Sequence, residues 1–113
     1  MKPLWQKRLD TFQILLKATK EGRVEWEELS EKGLVAQPGK LAVSFVREYG
    51  PEYGQIFIVE VTNNAGTIVD EFTINVTHGN LFGCFEELFS AAHHDIERRV
   101  GENLDELVES LRA

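Results

Sequence analysis

The chain has 113 residues, 19 acidic against 12 basic, for a net charge of −7; 42% are hydrophobic and 27% charged. That length suits one domain rather than two, and the composition is that of a globular chain rather than a disordered one. The single cysteine, Cys84, excludes an intramolecular disulfide and a four-thiolate zinc site, and no apolar run approaches the ~18 residues of a membrane span.

The charge is unevenly spread. Residues 1–23 carry a balance of +4, residues 24–79 of −6 and residues 80–113 of −5. The acidic total argues against a nucleic-acid partner, because neutralising phosphates needs a concentrated basic surface. The basic first segment is expected to lie beside the acidic C-terminal helices. Residues 1–8 lack the apolar core of a signal peptide. With a lone cysteine, a cytoplasmic location follows as the expectation.

A first helix is predicted from Pro3 to Glu21. Leu4, Trp5, Leu9, Phe12, Leu15, Leu16 and Thr19 recur at three- and four-residue steps and form one stripe. Lys17 and Lys20 suit the negative end of the helix, and Gly22 supplies the left-handed residue that stops it. Val24 to Glu27 alternates as a short strand carrying Trp26. Glu28 to Gly39 reads as a connection, within which Leu34, Val35 and Ala36 could extend a strand. Three further strands are predicted over about 40–47, 55–61 and 67–76. The turn residues between them, Gly50-Pro51 with Gly54 and then Asn63-Asn64-Ala65-Gly66, make antiparallel hairpins.

Asn80 can cap a second helix from Leu81 to Arg99, with Leu81, Phe82, Phe85, Leu88, Phe89, Ala92 and Ile96 on its apolar face. Val100-Gly101 interrupts the pattern. Asn103 and Glu106 have capping-box spacing for a short third helix bearing Leu104, Leu107, Val108 and Leu111. The predicted fold class is therefore α+β in a single domain, residues 1–113: an N-terminal helix, an antiparallel sheet of about four strands and two C-terminal helices.

The strand pattern also predicts the faces of the sheet. Placing Glu60 opposite Asp70 in the last hairpin puts Ile56, Ile58, Phe72 and Ile74 on one face and Phe57, Val59 and Val61 on the other. Placing Phe45 opposite Phe57 adds Leu41, Val43 and Phe45 to the second face. Both faces are then apolar, and something must cover each. Phe12, Leu16, Ile58, Phe72, Phe85 and Phe89 are expected as core. If both long helices share one face, Leu41, Val43, Phe45, Phe57, Val59 and Val61 form a candidate interface that a two-fold homodimer would bury.

Candidate chemistry is sparse. Glu60 and Asp70 could form an acidic pair across the hairpin. His93 and His94 are adjacent on a helix and point about 100° apart, so they do not readily share a metal. Cys84 near a helix N-terminus would need a histidine base, and nothing places His78 there. Tyr49 and Tyr53 at a hairpin tip form a candidate recognition loop. No catalytic residue, metal ligand or cofactor is assigned. The expected function is a non-enzymatic protein-binding or adaptor domain acting through an apolar sheet face or helix surface, with a homodimer or another protein as partner. The alternative is a small enzyme or ligand-binding protein with a pocket between sheet and helices.

Leu15-Leu16, Thr19, Gly22, Val24 and Trp26, followed by sheet and then helices, resemble a recurrent pattern in small uncharacterised bacterial proteins. The resemblance implies the order of helix, glycine stop and Trp-bearing strand, and no activity.

Overall fold

The computed structural model describes residues 1–113. Its elements are α1 (Leu4–Lys20), β1 (Trp26–Ser30), β2 (Gly33–Ala36), β3 (Ala42–Gly50), β4 (Gly54–Thr62), β5 (Ile68–Asn75), a 3₁₀ turn (Val76–His78) and α2 (Asn80–Arg112). The strands form a five-stranded meander in the order β1-β2-β3-β4-β5, every neighbouring pair antiparallel. The class is α+β, as the residue pattern predicts. It has five strands rather than four, because Leu34-Val35-Ala36 is a full member of the sheet between β1 and β3.

α1 ends as its glycine requires. Gly22 takes φ of +74°, and the Arg23 and Gly22 N–H groups donate to the carbonyls of Ala18 and Thr19, which satisfies the last turn. Three residues of this stretch are joined by hydrogen bonds. The buried Trp26 indole N–H donates to the Thr19 hydroxyl at 3.0 Å, and that hydroxyl donates to the Leu15 carbonyl at 2.8 Å. The hydrogen-bonded series Trp26, Thr19 and Leu15 thus ties the helix to the first strand. Trp5, expected on the core stripe, is 58% exposed and lies outside it.

Both helices lie on one face of the sheet. That face presents Trp26, Leu34, Ala36, Val43, Phe45, Phe57, Val59 and Ile74, all buried in one cluster with Leu9, Phe12 and Leu15 of α1 and Leu81, Phe82, Phe85, Leu88 and Phe89 of α2. Phe45 is the hub. Its ring meets Trp26 at 5.5 Å, Phe85 at 5.3 Å and Phe57 at 6.0 Å in edge-on geometry, the arrangement that ring quadrupoles favour.

The register corrects two expectations. In the β3–β4 hairpin Phe45 stands opposite Val59, not Phe57; a shift of two residues leaves the faces unchanged. In the last hairpin Glu60 stands opposite Glu71 and Val59 opposite Phe72, a shift of one. The cause is a bulge: Val61 pairs with Asp70 but Thr62 with Ile68, so Val69 is an extra residue that turns β5 over. Phe72 and Ile74 thereby join the helix-covered face. Ile58, expected as core, sits on the other face and is 45% exposed. Phe12, Phe85 and Phe89 are buried, while Leu16 and Phe72 are partly buried against the cluster.

α2 is a single helix of 33 residues rather than two. A helical glycine costs only about 1 kcal/mol, and Arg98 bridges Glu102 at 2.8 Å across the expected break at Val100-Gly101. Asp95 anchors the helix to the sheet. Its buried carboxylate accepts from the Trp26 backbone N–H at 3.3 Å and pairs with Arg98 and Arg99, while Arg99 donates to the Trp26 carbonyl. Side chains of α2 thus occupy the Trp26 backbone groups at the free edge of β1, where another strand would otherwise pair.

Candidate functional site

The set Leu41, Val43, Phe45, Phe57, Val59 and Val61 is not an outward interface. Val43, Phe45, Phe57 and Val59 are buried beneath the chain's own helices, Val61 is partly buried, and only Leu41 is exposed. The face left open is the opposite one. Its centre is the Val46–Ile58 cross-strand pair, and Glu27, Glu48, Glu60 and Glu71 stand around it.

The most developed concavity lies along the flank of α1 that faces away from α2. It is a cleft of about 640 Å³ between α1, the Pro38–Leu41 loop and the ends of β3, β4 and β5. Phe12, Leu15, Val43 and Val61 form its floor, and exposed Leu4, Ile14, Leu41 and Val69 form its lips. The bulge builds part of this site, because the extra residue Val69 is one of the lips.

Four cations stand around this groove: Lys7, Arg8, Arg23 and Lys40. Arg8 is committed to Asp70, with Nε at 2.9 Å from one carboxylate oxygen and a terminal nitrogen at 2.5 Å from the other. Its guanidinium also lies 4.3 Å over the Phe72 ring. The Arg8 hydrogen bonds hold the Asp70 carboxyl below the usual carboxylate range, and Asp70 in turn holds the guanidinium charged. The pair is a brace across α1 and β5, and neither member is poised to exchange protons near neutral pH. Arg23 pairs with Glu21 at 2.8 Å. Lys7 and Lys40 make no ion pair, one on each wall of the groove.

The remaining candidates are dispersed. Asp70 faces the helices, so the acidic pair on the open face is Glu60 with Glu71. His78 accepts from the Asn75 N–H at 3.0 Å and completes the cap of the 3₁₀ turn. His93 meets the Phe89 ring edge-on at 4.5 Å, with Glu28 3.8 Å away; His94 is exposed. No three His, Cys, Asp or Glu side chains converge in a metal-binding arrangement. Cys84 is buried, and burial, reinforced by Glu87, pushes its thiol up to about 11. It is therefore a neutral thiol at physiological pH, not a thiolate. Tyr49 and Tyr53 are 67% and 48% exposed at the β3–β4 hairpin, as the turn residues predict.

A polar cleft of about 540 Å³ runs between the C-terminal end of α1 and the middle of α2, lined by Thr19, Lys20, Glu87, His94, Asp95 and Arg98. Its charges are already matched: Lys20 bridges Glu87 at 3.0 Å, and Asp95 holds Arg98. The groove beside α1 differs in having an apolar floor and uncommitted lysines. Residue patterns do not mark it, because its lips come from three separate segments: α1, the loop before β3, and β5. The available hint is the basic excess of residues 1–23. α1 does lie beside α2, yet Lys20–Glu87 is the one ion pair between them.

No helix is long and apolar enough to cross a membrane. No family model matches the chain, and no curated protein or solved structure matches it either.

Proposed function

We propose that the chain is a non-enzymatic protein-binding domain whose α1 groove receives an acidic, amphipathic segment of a partner protein. The observation that carries the reading is the groove's chemistry: an apolar floor and lips between two unpaired lysines, Lys7 and Lys40. A helix laid into such a groove buries its apolar stripe on Leu4, Ile14, Leu41 and Val69, and its flanking carboxylates meet the lysines. A cytoplasmic setting belongs to the same proposal, since a buried, neutral Cys84 needs no oxidising compartment.

Selection from a displayed library of helical peptides tests it. The selected sequences should combine an i, i+3, i+4 apolar stripe with flanking Asp or Glu, and they should lose binding to the Leu41→Glu chain. Selected peptides that are basic, or that bind Leu41→Glu undiminished, refute it.

The cleft volume also falls within the range of small-molecule sites, which supports the alternative of a ligand-binding protein for an amphipathic anion. Oleate is the discriminating probe. Saturable oleate binding that is lost in Leu41→Glu, with no acidic peptide selected, favours that alternative.

A further inference from the structure

α2 is too long for the body it crosses. At 1.5 Å per residue its 33 residues span about 50 Å, and its last buried residue is Asp95. Beyond it, Val100, Leu104, Leu107, Val108 and Leu111 are 51%, 56%, 53%, 44% and 77% exposed. At about 100° per residue these five side chains share one helical face. Asp105, Glu106 and Glu109 on the same segment make no ion pair. The projecting arm is itself an acidic amphipathic helix, the ligand chemistry that the α1 groove suits.

We infer that the arm of one chain docks in the α1 groove of a second copy, and reciprocally, forming a two-fold arm-exchanged dimer. The inference rests on the groove reading above and names one occupant for that site. The lengths agree: Val100 to Leu111 spans about 17 Å, and the groove-lining stretch of α1 from Leu4 to Ala18 about 21 Å. The charges agree in sign: residues 100–112 carry four acids and one arginine. Of the unpaired carboxylates Asp105 lies nearest the edge of the apolar stripe, while Glu106 and Glu109 point away from it and add long-range attraction toward the unpaired Lys7 and Lys40. The chain's own groove is out of reach of an unbroken α2, since no residue of α2 lines it and the start of the arm, at Val100 and Leu104, passes beside Trp26, Glu27 and Glu28 of β1. Pairing of two arms with each other would instead bring together two segments of like net charge, with Arg112 as the only cation after Arg99 in each.

A charge exchange tests this on the full chain. Lys7→Glu/Lys40→Glu reverses the groove, and Asp105→Lys/Glu109→Lys reverses the arm; all four positions are exposed, so the fold is expected to survive. By light scattering after size exclusion, the native chain should have twice the 12.9 kDa mass of one chain. Each reversed chain alone should self-associate roughly tenfold or more weakly. Mixed, the two should recover a dimer containing one of each, because every groove then meets an arm of opposite charge. A monomeric native chain at high micromolar concentration overturns the inference. So does a groove-reversed chain that still dimerises, which would indicate pairing between arms, or a mixture that stays monomeric. The groove reading is judged separately on Leu107→Glu, whose arm cannot dock. If that chain still binds the selected acidic peptides while the native chain is monomeric, the inference of exchange falls alone.

Discussion

Val59 and Ile58 are neighbours on β4 and should respond to truncation very differently. Val59 is 0% exposed between Phe45 and Phe72 on the covered face, whereas Ile58 is 45% exposed beside Val46 on the open one. Val59→Ala removes two methyl groups, worth about 0.8 kcal/mol each in transfer, and leaves a void beneath two helices, for a total of about 2–3 kcal/mol. Ile58→Ala removes more carbon but from a half-solvated site, and should cost about 0.5–1 kcal/mol. For a chain of this length, 1 kcal/mol moves Tm by about 4–6 °C. Val59→Ala should therefore melt about 8–18 °C lower and Ile58→Ala no more than about 6 °C lower. Thermal melts and guanidinium midpoints by circular dichroism measure both. Val59→Glu should abolish the cooperative transition, because an unpaired carboxylate cannot be carried under the helices, while Ile58→Glu should fold. Equal losses for the two alanine variants, or a larger loss at Ile58, would show that the helices do not lie where the register puts them.

Asp95→Ala removes the acceptor for the Trp26 N–H and both arginines, so it should cost about 2–3 kcal/mol in chemical denaturation and loosen the packing around the otherwise fully buried Trp26. Asp70 is held ionised chiefly by its Arg8 hydrogen bonds; at Asp95 burial opposes ionisation, but the Trp26 N–H and the two arginines outweigh it. Both carboxyls are depressed in the folded state, so their stabilisation is present above the unfolded carboxylate pKa of about 3.9 and is lost as pH falls through the folded values. Tm should stay level from neutrality to about pH 5 and drop below about pH 4, with a shallower drop in Asp70→Asn/Asp95→Asn. Gly101→Ala should raise stability by up to about 1 kcal/mol and increase helical signal if α2 is continuous; a loss would place a break there.

The helices and strands were legible because burial imposes a period on them. The stripe Leu9, Phe12, Leu15 and the series Phe82, Phe85, Phe89 are buried where their spacing places them. The choice between the two faces of β4 was not legible, because Ile56 and Ile58 are as apolar as Phe57 and Val59. What decides it is the bulge at Val69 and the bond between Arg8 and Asp70, 62 residues apart in sequence. Local periodicity carries neither. The same register moves Asp70 from an acidic pair into a brace and leaves Glu71 opposite Glu60. Helix continuity past Gly101 was hidden for a different reason. A Gly followed by Asn103 and Glu106 satisfies the rules for a new start, and the Arg98–Glu102 bridge that spans the join reads in sequence as two ordinary surface charges. The groove was legible only as an unexplained basic excess near the N-terminus, since its apolar lips at Leu4, Ile14, Leu41 and Val69 meet only when α1 lies across the sheet ends.

Amide chemical-shift mapping on the Leu107→Glu chain, titrated with a selected acidic amphipathic peptide, tests the proposed binding role most directly. The shifts should saturate with peptide and concentrate on the outer flank of α1 from Leu4 to Ala18, on Lys40 and Leu41, and on Val69 and Asp70, and all should be lost when Lys7 and Lys40 are both changed to Glu. Shifts confined to Val35, Ser44, Val46 and Ile58 on the open face, or a pattern unaffected by the lysine changes, would contradict it.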